Sequence, residues 1–260
     1  MCQTCEHNIF THFPKDPNCP ICQANKPTRA YVQSKPGAEP DALPVPKAWG
    51  DAITADHKIL NEDDQSRDHD RMACIILDRF TQWLQGYSAP SKSAAETRKA
   101  FRKFLGPEMK CKHIYTDNSE EFRKALKDLD LPHDTSTPYR SETNGVAERA
   151  VRRVKEGTAC ALSQSGLNEV WWKYAMQCFC FLRNIVDLLV GQQTAYKKRF
   201  GKDCEAPVIP FGAEIEYYPI SPKDKDRVHQ LGDKCYKEYF GLPSMAWRRM
   251  ERRCNGVGLG

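Results

Sequence analysis

The chain has 260 residues, room for one sizeable domain with small appendages. With 40% hydrophobic and 28% charged residues it can build a core, and no apolar run is long enough to span a membrane, because Cys178 to Val190 is broken by Arg183, Asn184 and Asp187. A net charge of +5 permits nucleic-acid binding without requiring it, so the placement of charge has to carry that argument.

Residues 1–30 are rich in Cys and His. The opening MCQTCEHN lacks the basic-then-apolar layout of a secretory leader, so the chain reads as intracellular. Among the 12 cysteines, Cys74, Cys160, Cys178 and Cys180 lie in apolar segments, as buried thiols do. Cys2, Cys5, Cys19 and Cys22 instead have the pair spacing of metal ligands. His7, His12, Cys19 and Cys22 supply a His-His-Cys-Cys set for zinc, with Cys2, Cys5, Cys19 and Cys22 as a competing four-thiolate set. Pro14 and Pro17 forbid a helix between His12 and Cys19, which points to a compact knuckle. Residues 31–48 contain four prolines and few large apolar residues, and read as an extended linker.

An α/β core is expected over 49–200. Ala52 to Ala55 forms a first strand ending at Asp56, followed by a solvated acidic loop from Glu62 to Asp70. Met72–Leu77 and Trp83–Ala89 read as two strands joined by a short turn. Ser91–Leu105 has helical period and is stopped by Gly106-Pro107. His113–Tyr115 is a short strand leading to Asp117, and Glu120–Leu129 is a brief helix. Gly145–Ser163 is amphipathic: Ala147, Ala150, Val151, Val154 and Leu162 form an apolar stripe, and Glu148, Arg149, Arg152, Arg153 and Lys155 share the polar side. Asn168–Leu189 reads as one apolar helix whose Trp171, Trp172, Phe179 and Phe181 serve packing. A small extension, 201–260, holds candidate strands at Val208-Ile209 and Ile215–Tyr218 and a basic tail, AWRRMERR, at 246–253.

This order of elements is that of a ribonuclease-H-like fold. Asp56 and Asp117 then sit at neighbouring strand ends, and Glu148 lies in the first turn of the long helix. Three gathered carboxylates repel unless a cation neutralises them, and oxygen-only ligation suits Mg²⁺ or Mn²⁺. Taken singly, each acid has an ordinary explanation, since carboxylates are common at strand ends and helix starts.

The surrounding motifs add specificity. TDNSEEF (116–122) and STPYRSETNGVAERAVRRVK (136–155) resemble the two central motifs of retrotransposon integrases. ITADHKIL (53–60), IILDRFTQWLQGY (75–87) and WWKYAMQCFCFLRN (171–184) resemble that family's first three strands and post-core helix. The resemblance covers roughly residues 5–235. It implies a mixed five-stranded sheet flanked by helices, with Asp56, Asp117 and Glu148 binding two Mg²⁺ or Mn²⁺ ions for DNA end processing and strand transfer. Asp51 is the rival for the first position, and Asp78 matches a non-catalytic acid. Tyr139, Arg140, Asn144, Arg149, Arg152, Arg153 and Lys155 would contact DNA. The resemblance further implies a zinc-binding N-terminal module, homo-oligomers acting on double-stranded DNA in the nucleus, no membrane partner, and an origin within a longer polyprotein. There are departures from the pattern. Residues 118–147 leave 30 between the second and third carboxylates, fewer than is usual, and Ser119 and Ser141-Glu142 replace the common Gly and Pro-Gln. A decayed or domesticated nucleic-acid-binding copy, or a nuclease on the same fold, are the alternatives.

Overall fold

The computed structural model describes residues 7–27, 45–108, 110–135, 145–189, 191–218 and 235–242. The described arm carries one short helix, α1 (Pro20–Asn25), opened by a proline that its first turn tolerates. The core is built around β1 (Ile53–Ile59), β2 (Met72–Asp78), β3 (Leu84–Ala89), β4 (Ile114–Thr116) and β5 (His133–Thr135), in spatial order β3-β2-β1-β4-β5. The first three strands form an antiparallel meander, while β4 and β5 run parallel to β1.

Alternation along β2 divides the interior. Met72, Cys74 and Ile76 face one side, where they meet Phe101 and Phe104 of α2 (Ala94–Leu105) and Phe122 and Leu126 of α3 (Glu120–Asp128). Ala73, Ile75 and Leu77 face the other, against Ala150 and Val154 of α4 (Gly145–Ser165) and Met176 and Phe179 of α5 (Trp172–Val186). All seven β2 residues are buried, as expected of a strand covered on both faces. Ser93 caps α2 by accepting the Glu96 N–H, and Gly106 ends it at a φ of 77°.

The structure corrects several expectations. β1 does not end at Asp56 but continues to Ile59, because Asp56 to Ile59 keep pairing with β2. β5 has the polar sequence His-Asp-Thr and no apolar alternation to announce it. The predicted single helix at 168–189 is a 3₁₀ turn, Glu169–Trp171, capped by Asn168, followed by α5, which stops where Asp187 turns extended. A sixth helix, α6 (Ala195–Phe200), follows. Val208-Ile209 is not a strand; β6 (Glu214–Tyr217) pairs instead with β7 (Tyr236–Tyr239). Phe211 and Phe240, at the two ends of this hairpin, are buried with Leu162, Cys178 and Leu182, which seats the extension on α4 and α5.

The acidic loop is anchored rather than solvated throughout. Trp172 Nε1 donates to the Asp64 carbonyl at 3.1 Å, Tyr174 donates to Asp68, and Lys173 bridges Asp68 and Asp70 at 2.8 and 2.9 Å. Cys74, Cys160, Cys178 and Cys180 are buried free thiols, and burial pushes the last of these up to about 12, as befits inert packing residues. No helix among the described residues is long and apolar enough to cross a membrane.

Candidate active site and metal arm

The parallel register of β1 with β4 pairs Ile53 with Ile114, Thr54 with Tyr115 and Ala55 with Thr116. The next step of that register sets Asp56 beside Asp117, on neighbouring strands about 4.8 Å apart. Alternation sends Asp56 toward the α4 face, away from Ile53 and Ala55, and Glu148 lies in the first turn of α4. Asp56 feels the charge of the other two acids. The Asp56 carboxyl is raised to about 6, first by burial and further by the charges of Asp117 and Glu148, against the lowering effect of the His57 N–H. That N–H donates to Asp56 Oδ1 at 2.7 Å, and the Ser119 N–H to Asp117 Oδ1 at 3.4 Å.

The rival acids are engaged elsewhere. Asp51 accepts the Lys47 and Ala48 N–H groups at 2.9 Å each and pairs with Lys112 at 2.7 Å. Asp78 is wholly buried and accepts from the Gly50 N–H and from both the N–H and hydroxyl of Thr81, a purely architectural set of bonds. Two neighbours of Asp56 carried no sequence signal. His57 stacks on Phe122 at 4.0 Å and hydrogen-bonds Thr97, and burial lowers its pKa to about 4, so the ring stays neutral. Lys92 pairs with Glu121 at 3.3 Å and lowers the Asp56 pKa from across the site. Its position 36 residues from Asp56 in sequence made it invisible before folding.

The basic residues of α4 do not form one row. With 3.6 residues per turn, Lys155 lies on the Glu148 side, while Arg149, Arg153 and Glu156 turn toward the arm, with Arg152 between the two groups. Arg152 pairs with Glu156 at 2.7 Å, and the Arg153 guanidinium covers the Phe13 ring at 4.4 Å. Tyr139, Arg140 and Asn144 fall outside the described residues, as do Cys2 and Cys5, residues 31–44 of the 31–48 linker and the basic tail.

In the arm, one donor atom from each of His7, His12, Cys19 and Cys22 lies within 4.8 Å of the other three. Among the described residues this is the group of His, Cys, Asp or Glu drawn tightly enough to hold a metal; Asp56, Asp117 and Glu148 are not drawn to that closeness. His7 Nδ1 donates to the Pro14 carbonyl at 2.7 Å, leaving Nε2 buried without a hydrogen-bond partner, the arrangement a metal-ligating imidazole adopts. His12 Nδ1 is 3.5 Å from Cys19 Sγ, and burial lowers the His12 pKa, which keeps its ring a neutral ligand. The Cys22 backbone N–H lowers the pKa of the Cys19 thiol. Two imidazoles and two thiols at this spacing fit a tetrahedral zinc ion. Proline at 14 and 17 leaves room only for the compact knuckle, closed by the Asn8–Phe13 bridge and α1. The arm docks on the core through Thr11, which donates to Asp187 at 2.6 Å, and Asn25, which donates to Ser163 at 2.8 Å.

Sheet order, strand directions and the long helix that carries Glu148 give a ribonuclease-H-like fold, and in sequence the chain resembles retrovirus-related Pol polyproteins. Among curated proteins it is 29% identical over 191 residues to the retrovirus-related Pol polyprotein from transposon RE2 of Arabidopsis thaliana, which covers 70% of this chain. It is 29% identical over 143 residues, 52% of the chain, to the corresponding polyprotein from transposon RE1 of the same plant. The chain spans only 13% and 10% of the length of these relatives. Among solved structures, the simian T-cell lymphotropic virus intasome in complex with the PP2A regulatory subunit B56 gamma matches with a TM-score of 0.51 and 18% identity, over 85% of this chain and 76% of that one. No protein-family model matches the chain.

Proposed function

We propose that this protein is a retrotransposon integrase that trims element DNA ends and joins them to target DNA. The observation that supports the reading is the β1–β4 register, whose last pair, Ala55 with Thr116, directly precedes Asp56 and Asp117, together with the charges of Asp117 and Glu148 felt at Asp56. These three carboxylates would hold two Mg²⁺ or Mn²⁺ ions, a fit supported by their all-oxygen chemistry and by the charges of Asp117 and Glu148 acting on Asp56. When bound, the ion pair supplies activation of an attacking oxygen and stabilisation of the leaving one. Lys155, with Tyr139, Arg140 and Asn144 ahead of the helix, would hold DNA phosphates beside the acids, and Arg149, Arg152 and Arg153 would hold them on the side of α4 turned toward the arm. In the first reaction water attacks a phosphodiester near the element end, and the strand leaves with a free 3′-hydroxyl. In the second that hydroxyl attacks a target phosphodiester and displaces the target's own 3′-oxygen, so one ester replaces another with no external energy source. Joining two ends calls for a homo-oligomer, and the reaction belongs in the nucleus. The arm would hold one zinc ion through His7, His12, Cys19 and Cys22.

The shortened interval between Asp117 and Glu148 favours a second reading, a decayed copy that binds DNA without cutting it. Strand transfer between oligonucleotides, run with Mg²⁺ or Mn²⁺, separates the two. The active integrase joins DNA, and Glu148→Gln abolishes joining while leaving DNA binding in place. Absence of joining by the wild-type protein, with Mn²⁺ binding indifferent to Asp117→Asn, overturns the enzyme reading.

A further inference from the structure

His12, one of the four arm residues whose donor atoms gather within 4.8 Å, sits at a φ of 53°. A residue with a Cβ holds that left-handed conformation only where its surroundings fix it. Some of that fixing comes from within the arm. The His12 N–H donates to the Asn8 carbonyl at 2.7 Å, and the His12 carbonyl accepts from Lys26 Nζ at 2.7 Å and from Cys22 Sγ at 3.7 Å. The rest comes from the core. Thr11, directly before His12, donates its hydroxyl to Asp187 Oδ1 at 2.6 Å, across 176 residues of sequence. Both are shut away from water, Thr11 at 1% exposed and Asp187 at 5%. A hydroxyl–carboxylate bond this short is charge-assisted, and burial strengthens it. Asp187 sits where α5 turns extended, its N–H on the Arg183 carbonyl at 3.2 Å, so the core fixes the acceptor. Burial raises the Asp187 carboxyl, while the Thr11 bond and the charges of Arg183, Arg153 and Lys26 draw it back down. Phe10, on the other side of Thr11, packs on the α4–α5 cluster.

We propose that Asp187 is a positioning residue of the metal arm: through Thr11 it holds His12 in place as a ligand, so that arm and core set the zinc affinity jointly. This role rests on the zinc reading above and extends it to a residue at the end of α5, far from the Cys/His segment. Ligand geometry in a metal site depends on the contacts that orient the ligands, and here one such contact crosses from one part of the molecule to another. With Thr11 tied down, part of the ordering of the turn that carries His12 is in place before the ion arrives, and a site ordered in advance binds more tightly. The coupling runs both ways. Whatever seats Thr11 on Asp187 favours the ion, and the ion favours seating of the arm by the same factor.

The test titrates Zn²⁺ into the whole metal-free chain in competition with a chromophoric chelator. Thr11→Val keeps the shape of the side chain and loses its hydroxyl, and zinc affinity falls about tenfold, the usual weight of one hydrogen bond to a charged group. Thr11→Ser keeps the donor and the wild-type affinity. Asp187→Ala weakens zinc binding to a similar degree, and adding Thr11→Val to it costs little more, because both changes break one bond. General damage to the core would not produce that non-additivity. Should Asp187→Ala fail to fold, Asp187→Asn takes its place in the cycle; it keeps an acceptor without the charge and gives a smaller loss. Wild-type affinity in Thr11→Val, or losses that multiply to about a hundredfold in the double variant, overturns the role of Asp187 and leaves the zinc site standing. A wild-type chain that binds zinc no better than His12→Ala overturns the zinc reading and this role together.

Discussion

Asp56 is the residue at which stability and the proposed chemistry oppose each other. Burial and two neighbouring acids raise its folded pKa from 3.8 to about 6. The folded state therefore holds that proton more tightly than the unfolded chain does. Its contribution to stability is fully present below about pH 4 and is lost as pH rises through about 6. The side chain is partly exposed, so solvent screening reduces the effect to about 1–2 kcal/mol. Asp56→Asn, studied in chelator, is expected to be more stable than wild type above pH 6, with the two curves converging near pH 4; urea titrations at both ends of the range read the difference. Asp56 itself was legible from the strand pattern before it and the motif around it. Its electrostatic environment was not, because Lys92, Asp117 and Glu148 reach it only through the fold.

At the level of elements, the amphipathic period found α2 and α4 to within a few residues, and Ser93 and Gly106 explain where the ends of α2 fell. Pairing contacts found what periodicity could not: β5 exists because β4 offers it an edge, not because His-Asp-Thr favours a strand. A glycine marks the closest helix contact. Gly157 lies in the middle of α4, where Ala would ordinarily gain about 1 kcal/mol of helix propensity. A methyl there would overlap the buried Phe179 ring of α5. Gly157→Ala should therefore destabilise the fold by about 1–3 kcal/mol, the usual cost of overpacking, despite its better propensity, as a lowered midpoint of thermal or urea unfolding. An equal or raised midpoint would mean that α4 and α5 do not meet through this glycine.

Across the whole molecule, the arm meets the core through the Thr11 and Asn25 hydrogen bonds, the Arg153 guanidinium over Phe13 and Phe10 packed on the α4–α5 cluster. The arm has one short helix and little apolar interior, so a bound ion would supply most of its folding free energy. The core has its own buried clusters on both faces of the sheet. One zinc per chain is expected by elemental analysis, and none in His12→Ala. Zinc removal should expose residues 7–27 to protease while the main unfolding transition moves little. Loss of the core transition together with zinc would show that the arm is integral to the core.

The sequence by itself laid out most elements of the core and singled out the acids at 56, 117 and 148 and the His-His-Cys-Cys set as candidates, because periodicity, turn residues and motif spacing are local properties that any stretch of chain displays. Only the tertiary structure decided that Asp51 is bound up in the architecture, that the acidic loop is tied to α5, and that Lys15 and Lys26 face the arginines of α4. Those outcomes depend on which surfaces meet when the two faces of β2 are buried, and burial against a distant partner leaves no mark on the residues nearby in sequence.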